Sequence, residues 1–218
     1  MRILPDHNCI YIHIPKTDGN SIAEALDTLP STTVFDLPDT GLYDPDIELP
    51  DVHRPKHIKA HELRSAIGQE AWAQFFTFAF AFALNPWDLM VSSYNWWLQK
   101  ASKWPDYPPI VVEIRGMDGF AGFMASRLGA RQINEMEGNI SDWITDGAGN
   151  ILLDYVARFE SLEESWGVIC DRMDVPLIPL PYENKSERSH YRTYYNQETR
   201  QQIADRFSWS IEKSGYRF

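Results

Sequence analysis

Lysine, threonine, glycine and serine stand close together where a short apolar run ends, in Ile12-His13-Ile14-Pro15-Lys16-Thr17-Asp18-Gly19-Asn20-Ser21. The apolar run 9–14 has the β-branched and aromatic content of a buried strand, and the pattern from Ser21 onward starts a helix. A strand-to-helix turn presents backbone N–H groups and the positive end of a helix dipole, which suits an anion. Lys16 adds a mobile positive charge and Ser21 a hydroxyl donor. Such a loop holds a phosphate or sulfate and stabilises charge on a leaving oxygen. The Walker A pattern G-x-x-x-x-G-K-[ST] is absent, and so is the lysine-serine pair with its metal aspartate, which ranks a P-loop kinase last. Taken by itself, the segment fits an ordinary loop with a solvated lysine equally well.

Group transfer to a hydroxyl also needs a base. His57, His61, Glu62 and His13 have the right chemistry. His53, His57 and His61 recur every four residues, as on a metal-binding helix face, but Pro55 breaks the helix such a face requires, so no metal is expected. A third segment, Phe80 to Tyr94, reads FAFALNPWDLMVSSY, and its Asn85-Pro86 pair marks a strand end and a helix start. Trp96 and Trp97, with Trp104, are denser than a core helix needs and suit an apolar or sugar-stacking acceptor cleft.

These residues need elements to position them. Strands are expected at 9–14, 75–83 and 151–159, with a further short one at 33–35. Helices are expected at 60–72, 86–100 and 119–127. The turn Asp146-Gly147-Ala148-Gly149-Asn150 precedes the last long strand. A capping box at Ser161-Leu162-Glu163-Glu164 opens a helix to about residue 173, and Asn196 caps a last helix at 197–207. The segment 27–55, rich in Pro and Asp, reads as an irregular insertion, and 101–115 as a loop. Alternation of strand and helix gives an α/β class with a mainly parallel sheet, whose ligands bind at the carboxyl ends of strands.

With 218 residues, 44% hydrophobic and 23% charged, the chain suits one globular domain over 1–218. A formal charge of -11 opposes a polyanionic partner, so nucleic acid and heavily sulfated glycans are not expected. Cys9 and Cys170 read as buried hydrophobes, not as a disulfide framework. The opening residues lack a signal-peptide core and the apolar stretch 75–84 is too short to span a bilayer, so no integral membrane segment and a cytoplasmic location are expected.

The loop resembles the phosphosulfate-binding loop of the carbohydrate (Golgi-type) sulfotransferases, commonly H-I-P-K-T-G-G-T-S. Lys16, Thr17, Gly19 and Ser21 match, while Asp18 and Asn20 depart from it. Asn85, Pro86, Trp87, Asp88, Val91, Ser92 and Tyr94 match the family's F-x-F-V-R-N-P-W-D-R-x-V-S-x-Y, with Leu84 at the arginine position. Arg158-Phe159-Glu160, the run Leu180-Pro181-Tyr182-Glu183-Asn184-Lys185-Ser186 with Tyr191 and Tyr194-Tyr195, and the closing Gly215-Tyr216-Arg217-Phe218 follow in the family's order.

The resemblance covers nearly the whole chain and implies a single sulfotransferase domain with a P-loop-containing nucleotide hydrolase-like, three-layer fold. It implies transfer of a sulfuryl group from 3′-phosphoadenosine 5′-phosphosulfate (PAPS), giving adenosine 3′,5′-bisphosphate (PAP), to a hydroxyl or amine of a small-molecule, lipid or saccharide acceptor. Lys16 and His57 are the implied catalytic pair. The implied donor site comprises Lys16, Thr17, Gly19, Asn20, Ser21, Ser92, Arg158, Asn184, Lys185, Ser186, Arg188 and Tyr191. In the family the arginine replaced by Leu84 holds the 3′-phosphate together with the serine matched by Ser92, and Arg188, Lys185 and Arg158 are the basic residues able to replace it. Asp18 and Leu84 also support an alternative, a degenerate relative that binds a nucleotide or partner without transfer.

Overall fold

Phenylalanine and alanine alternate along Phe78-Ala79-Phe80-Ala81-Phe82-Ala83, so the central strand puts large side chains on one face and small ones on the other. All six residues are buried, which requires cover on both faces. The computed structural model describes residues 1–17, 19–32, 57–103, 113, 116–126, 129, 139–181 and 188–218. In chain order its elements are β1 (Arg2–Leu4), β2 (Cys9–Ile12), α1 (Gly19–Asp27), α2 (Ala60–Ile67), α3 (Gln69–Phe75), β3 (Phe78–Ala83) and α4 (Pro86–Lys103). After them come α5 (Gly119–Ala125), α6 (Ile140–Ile144), β4 (Tyr155–Arg158), α7 (Leu162–Arg172), α8 (Gln197–Arg206) and α9 (Ser208–Ser214). Packing groups them into two units, Met1–Ala83 with Ile140–Lys185 and Leu84–Asn139 with Ser186–Phe218.

The first unit holds the sheet, in the order β1-β2-β3-β4. β1 runs antiparallel to β2, with Arg2 opposite Tyr11 and Leu4 opposite Cys9. β2, β3 and β4 are parallel, pairing Ile12 with Ala81 and Ala83 with Arg158. Their carboxyl ends therefore emerge on one edge. The phenylalanine face of β3 joins Leu4, Cys9, Tyr11 and Ala157 in a core with Ile22, Ala25 and Leu26 of α1. Trp166, Ile169 and Cys170 of α7, with Met173 after it, complete that core. Trp166 Nε1 donates to the Ile178 carbonyl at 2.7 Å and so anchors the segment that follows α7. At the start of β4, Asp154 exchanges two 2.8 Å hydrogen bonds with the Ala79 backbone, one through its amide and one through Oδ2.

The second unit is built on α4. Asn85 Oδ1 accepts from the Trp87 amide at 3.1 Å, a side-chain cap placed just before Pro86. Trp87 is the hub: its Nε1 donates to the Arg200 carbonyl, its own carbonyl accepts from Tyr195 Oη, and its ring meets the edge of Phe218. Asn196 and Thr199 form a reciprocal capping box at the start of α8.

The mixed α/β class and the mostly parallel sheet agree with the sequence reading, and several boundaries are corrected. The strands expected at 9–14 and 75–83 are the shorter β2 and β3, and 69–75 is helical. Gly68, at φ 92°, breaks the helix expected at 60–72 into α2 and α3. The strand expected at 151–159 is only β4, with Ile151 in an isolated bridge to Thr145. Ser161 makes no side-chain cap; its hydroxyl lies 3.3 Å from Ser165 Oγ. The helix expected as the last is followed by α9. The strand expected at 33–35 and most of the 27–55 insertion lie outside the described residues. No described helix is long and apolar enough to cross a membrane.

Trp166 is 2% exposed at the centre of the first unit's core, so Trp166→Ala is expected to cost about 3–5 kcal/mol in urea unfolding. Leu177→Ala, at a residue 68% exposed, should stay within about 0.5 kcal/mol. Equal effects from the two would contradict this assignment of the core.

Candidate functional site

The site is built where β2 stops. The register of β2 with β3 runs as far as Ile12, and after His13 and Ile14 the chain turns at Pro15-Lys16. Thr17, 1% exposed, donates from Oγ1 to the Ile14 carbonyl at 2.8 Å and closes the turn. Lys16 adopts φ 65°, a left-handed conformation uncommon for a residue with a side chain. α1 begins at Gly19 with Asn20 and Ser21, so the loop delivers Lys16 to the positive end of a helix dipole. Ser21 is buried, Lys16 half-buried and Asn20 exposed.

His57 joins this loop from a distant part of the chain. Its Nδ1 lies 3.0 Å from the His13 carbonyl oxygen, and the two imidazole centroids are 4.3 Å apart. A carbonyl oxygen only accepts, so Nδ1 carries the proton of this hydrogen bond and, in the neutral ring, Nε2 is the basic nitrogen. Trp143 meets the His57 ring edge-on at 6.4 Å. An imidazole held in one tautomer beside an anion loop is equipped to take a proton from a bound hydroxyl.

Three other bases were open in the sequence. Glu62 Oε2 accepts from the Lys59 amide at 3.0 Å, a helix-starting contact at α2. His61 is half-buried on α2. His13 is 3% exposed beneath Gly19, which places its ring inside the fold. Among the described residues no group of three His, Cys, Asp or Glu is arranged to hold a metal.

Lys16, Thr17, Gly19, Asn20, Ser21 and His57 thus come together in the first unit. Arg158 ends β4 opposite Ala83 on the same sheet edge, half-exposed, with Nε 3.9 Å from Glu160 Oε2. A pair that open to water contributes about 0–1 kcal/mol at most. Ser92, Arg188 and Tyr191 belong to the second unit. Ser92 is half-buried on α4. Tyr191 stacks on His190 at 4.6 Å and meets the Phe218 ring at 5.8 Å. Arg188 forms a partly buried ion pair with Asp88, the aspartate of the Asn-Pro-Trp-Asp motif. Leu84 is 3% exposed, an aliphatic core residue. Asp18, Asn184, Lys185, Ser186 and Trp104 lie outside the described residues. Trp97 is buried, with Trp96 edge-on to it at 4.8 Å, so Trp97 serves packing before any acceptor.

Two functional contacts escaped the sequence reading. The Asp88–Arg188 pair spans a hundred residues and had no local signal. The His13 ring did have one: Cys9, Tyr11 and His13 share a period of two, and Tyr11 stacks on His13 at 5.8 Å. Burial pushes the Tyr195 phenol up, with Asp88 adding to the effect, so this hydroxyl is a hydrogen-bond donor to Trp87 and no base. Burial likewise raises the Cys9 thiol, which removes it as a nucleophile.

Because Arg188 and Asp88 side chains are only 16% and 23% exposed, a double-mutant cycle with Arg188→Met and Asp88→Asn is expected to give a coupling of about 1.5–3 kcal/mol. A coupling below about 0.5 kcal/mol would mean that the arginine is not committed to this partner.

Comparison of the chain with family models, with curated proteins and with solved structures returned no match in any of the three.

Proposed function

We propose that the chain is a PAPS-dependent sulfotransferase of the P-loop-like sulfotransferase fold, acting in the cytoplasm on a hydroxyl or amine of a small-molecule, lipid or saccharide acceptor. The observation that carries this reading is the meeting of a lysine-bearing strand-to-helix loop with an imidazole whose Nδ1 proton is held by a carbonyl. Resemblance of the loop and of three further segments to the carbohydrate sulfotransferases supports it.

In this mechanism the acceptor oxygen attacks sulfur in line with the bond to the donor's 5′-phosphate oxygen. The new S–O bond forms as the old one breaks, and PAP leaves with the electron pair. The acceptor proton passes to His57 Nε2. Charge developing on the leaving phosphate is stabilised by Lys16 and by the first turn of α1, where Gly19, Asn20 and Ser21 lie. Arg158, at the carboxyl end of β4 on the same sheet edge, is a further candidate contact for the donor.

A second reading, nucleotide binding without transfer, is favoured by one observation: Leu84 is buried and Arg188 is engaged by Asp88. Losing one charge-assisted phosphate contact costs about 1.5–3 kcal/mol, or one to two orders of magnitude in affinity.

Calorimetric titration with PAP and with adenosine 5′-monophosphate separates the readings. Tight PAP binding that weakens at least tenfold with the monophosphate or with Lys16→Ala, together with sulfated product from an acceptor screen, is the result expected. PAP binding without product on any acceptor class would select the second reading, and no binding of either nucleotide would end the first.

The base assignment has its own signature. A base must be unprotonated, so kcat/KM should fall on acidification and level off at higher pH. His57→Gln is expected to lower kcat by about 10²–10⁴-fold and to abolish that acid limb while PAP still binds. An unchanged limb in His57→Gln would assign the proton to another group.

A further inference from the structure

We infer that His13 is the positioning residue for His57, its carbonyl fixing the tautomer and its ring packing against the imidazole. The chemical meaning of the tautomer rests on the sulfotransferase reading, whereas the geometry stands without it.

The His13 ring is confined on three sides. Tyr11 stacks on it with a 17° interplanar angle and centroids 5.8 Å apart. His57 lies against it at 4.3 Å. Gly19 covers the third side so closely that a Cβ there would stand 1.9 Å from His13 Nε2 and 2.0 Å from Cδ2. A flexible side chain would yield to such a contact, but this one is 3% exposed and has no room to swing. The confined ring packs against the His57 imidazole while the carbonyl of the same residue meets its Nδ1, so His13 holds the base both by its ring and by its main-chain oxygen. One residue therefore touches both the first residue of α1 and the base, and sets the spacing between the anion loop and His57. The same packing explains why position 19 carries no side chain. A merely structural core histidine would fill the same space but would leave the tautomer of His57 indifferent to its loss.

Long-range 15N–1H correlation spectra of the imidazoles, recorded at about pH 8 where an ordinary histidine is neutral, report the tautomer directly. In the unsubstituted protein His57 is expected to carry its proton on Nδ1. His13→Phe keeps a ring between Tyr11, Gly19 and His57 and should retain that tautomer. His13→Ala and Gly19→Ala, confirmed as folded by circular dichroism, should lower the Nδ1–H population of His57. A proton on Nε2 in the unsubstituted protein, or an unchanged Nδ1–H spectrum in both His13→Ala and Gly19→Ala, would overturn the inference. If one variant does not fold, the unsubstituted protein and the other still decide. An Nδ1–H signal that responds to these substitutions in a protein with no sulfuryl-transfer activity would support the positioning and remove only the sulfotransferase reading.

Discussion

The parallel pairing of β2 with β3 and of β3 with β4 is the constraint on which the first unit depends. Parallel strands need long crossovers and cover on both faces, and they send all their carboxyl ends to one edge. The Phe/Ala alternation of β3 meets the second demand asymmetrically, with a bulky face packed on α1 and α7 and a small one behind it. Once that ladder forms, the turn after Ile12 and the end of β4 at Arg158 have to emerge on the same side. Lys16 and Arg158 share an edge because of strand direction, whatever their own chemistry.

The motif Asn85-Pro86-Trp87-Asp88 illustrates how far a functional resemblance and a structural role overlap. Each of its four residues has a mechanical task within the second unit. Asn85 caps α4 and donates to the Arg217 carbonyl, and Pro86 starts the helix where a missing N–H costs nothing. Trp87 ties α4 to α8 and to the chain's final aromatic ring, and Asp88 holds Arg188. A sequence pattern kept for such reasons marks a fold element as much as a ligand site. The charge of Arg188 illustrates the same point: an arginine engaged by a partly buried carboxylate needs compensation before it can serve a phosphate.

Elements backed by side-chain periodicity were legible, and those decided by backbone or tertiary geometry were not. β2 and β3 announce themselves as apolar runs, and the caps at Asn85 and Asn196 are made by the residue types that make caps. β1 has only three residues before Pro5, too few for any period to register. The break between α2 and α3 turns on the positive φ of Gly68, although the amphipathic pattern runs on past it. At Ser161 the capping-box letters are present, but the chain enters α7 through a 3-10 turn at Phe159–Ser161 and the serine hydroxyl faces Ser165 instead. The strand-to-helix junction at Lys16 was legible because strand, glycine and helix are consecutive, although α1 opens at Gly19 and not at Ser21. Contact between that loop and His57, forty-four residues away, had no sequence signal.

What the residue list could not express at all is a role played by a peptide group. His57, His61, Glu62 and His13 have similar claims as bases when only side chains are counted. The folded chain separates them by what their other atoms touch. Glu62 reaches back to an amide at α2, and the His13 ring is enclosed beneath Gly19. His57 pairs its Nδ1 with the carbonyl of His13 where β2 ends, which in the neutral ring makes Nε2 the basic nitrogen. The selection among chemically equivalent residues is thus made by a main-chain oxygen. Its position follows from the strand ladder, and that is why the candidate bases separate only once the sheet edge and the first turn of α1 are in place.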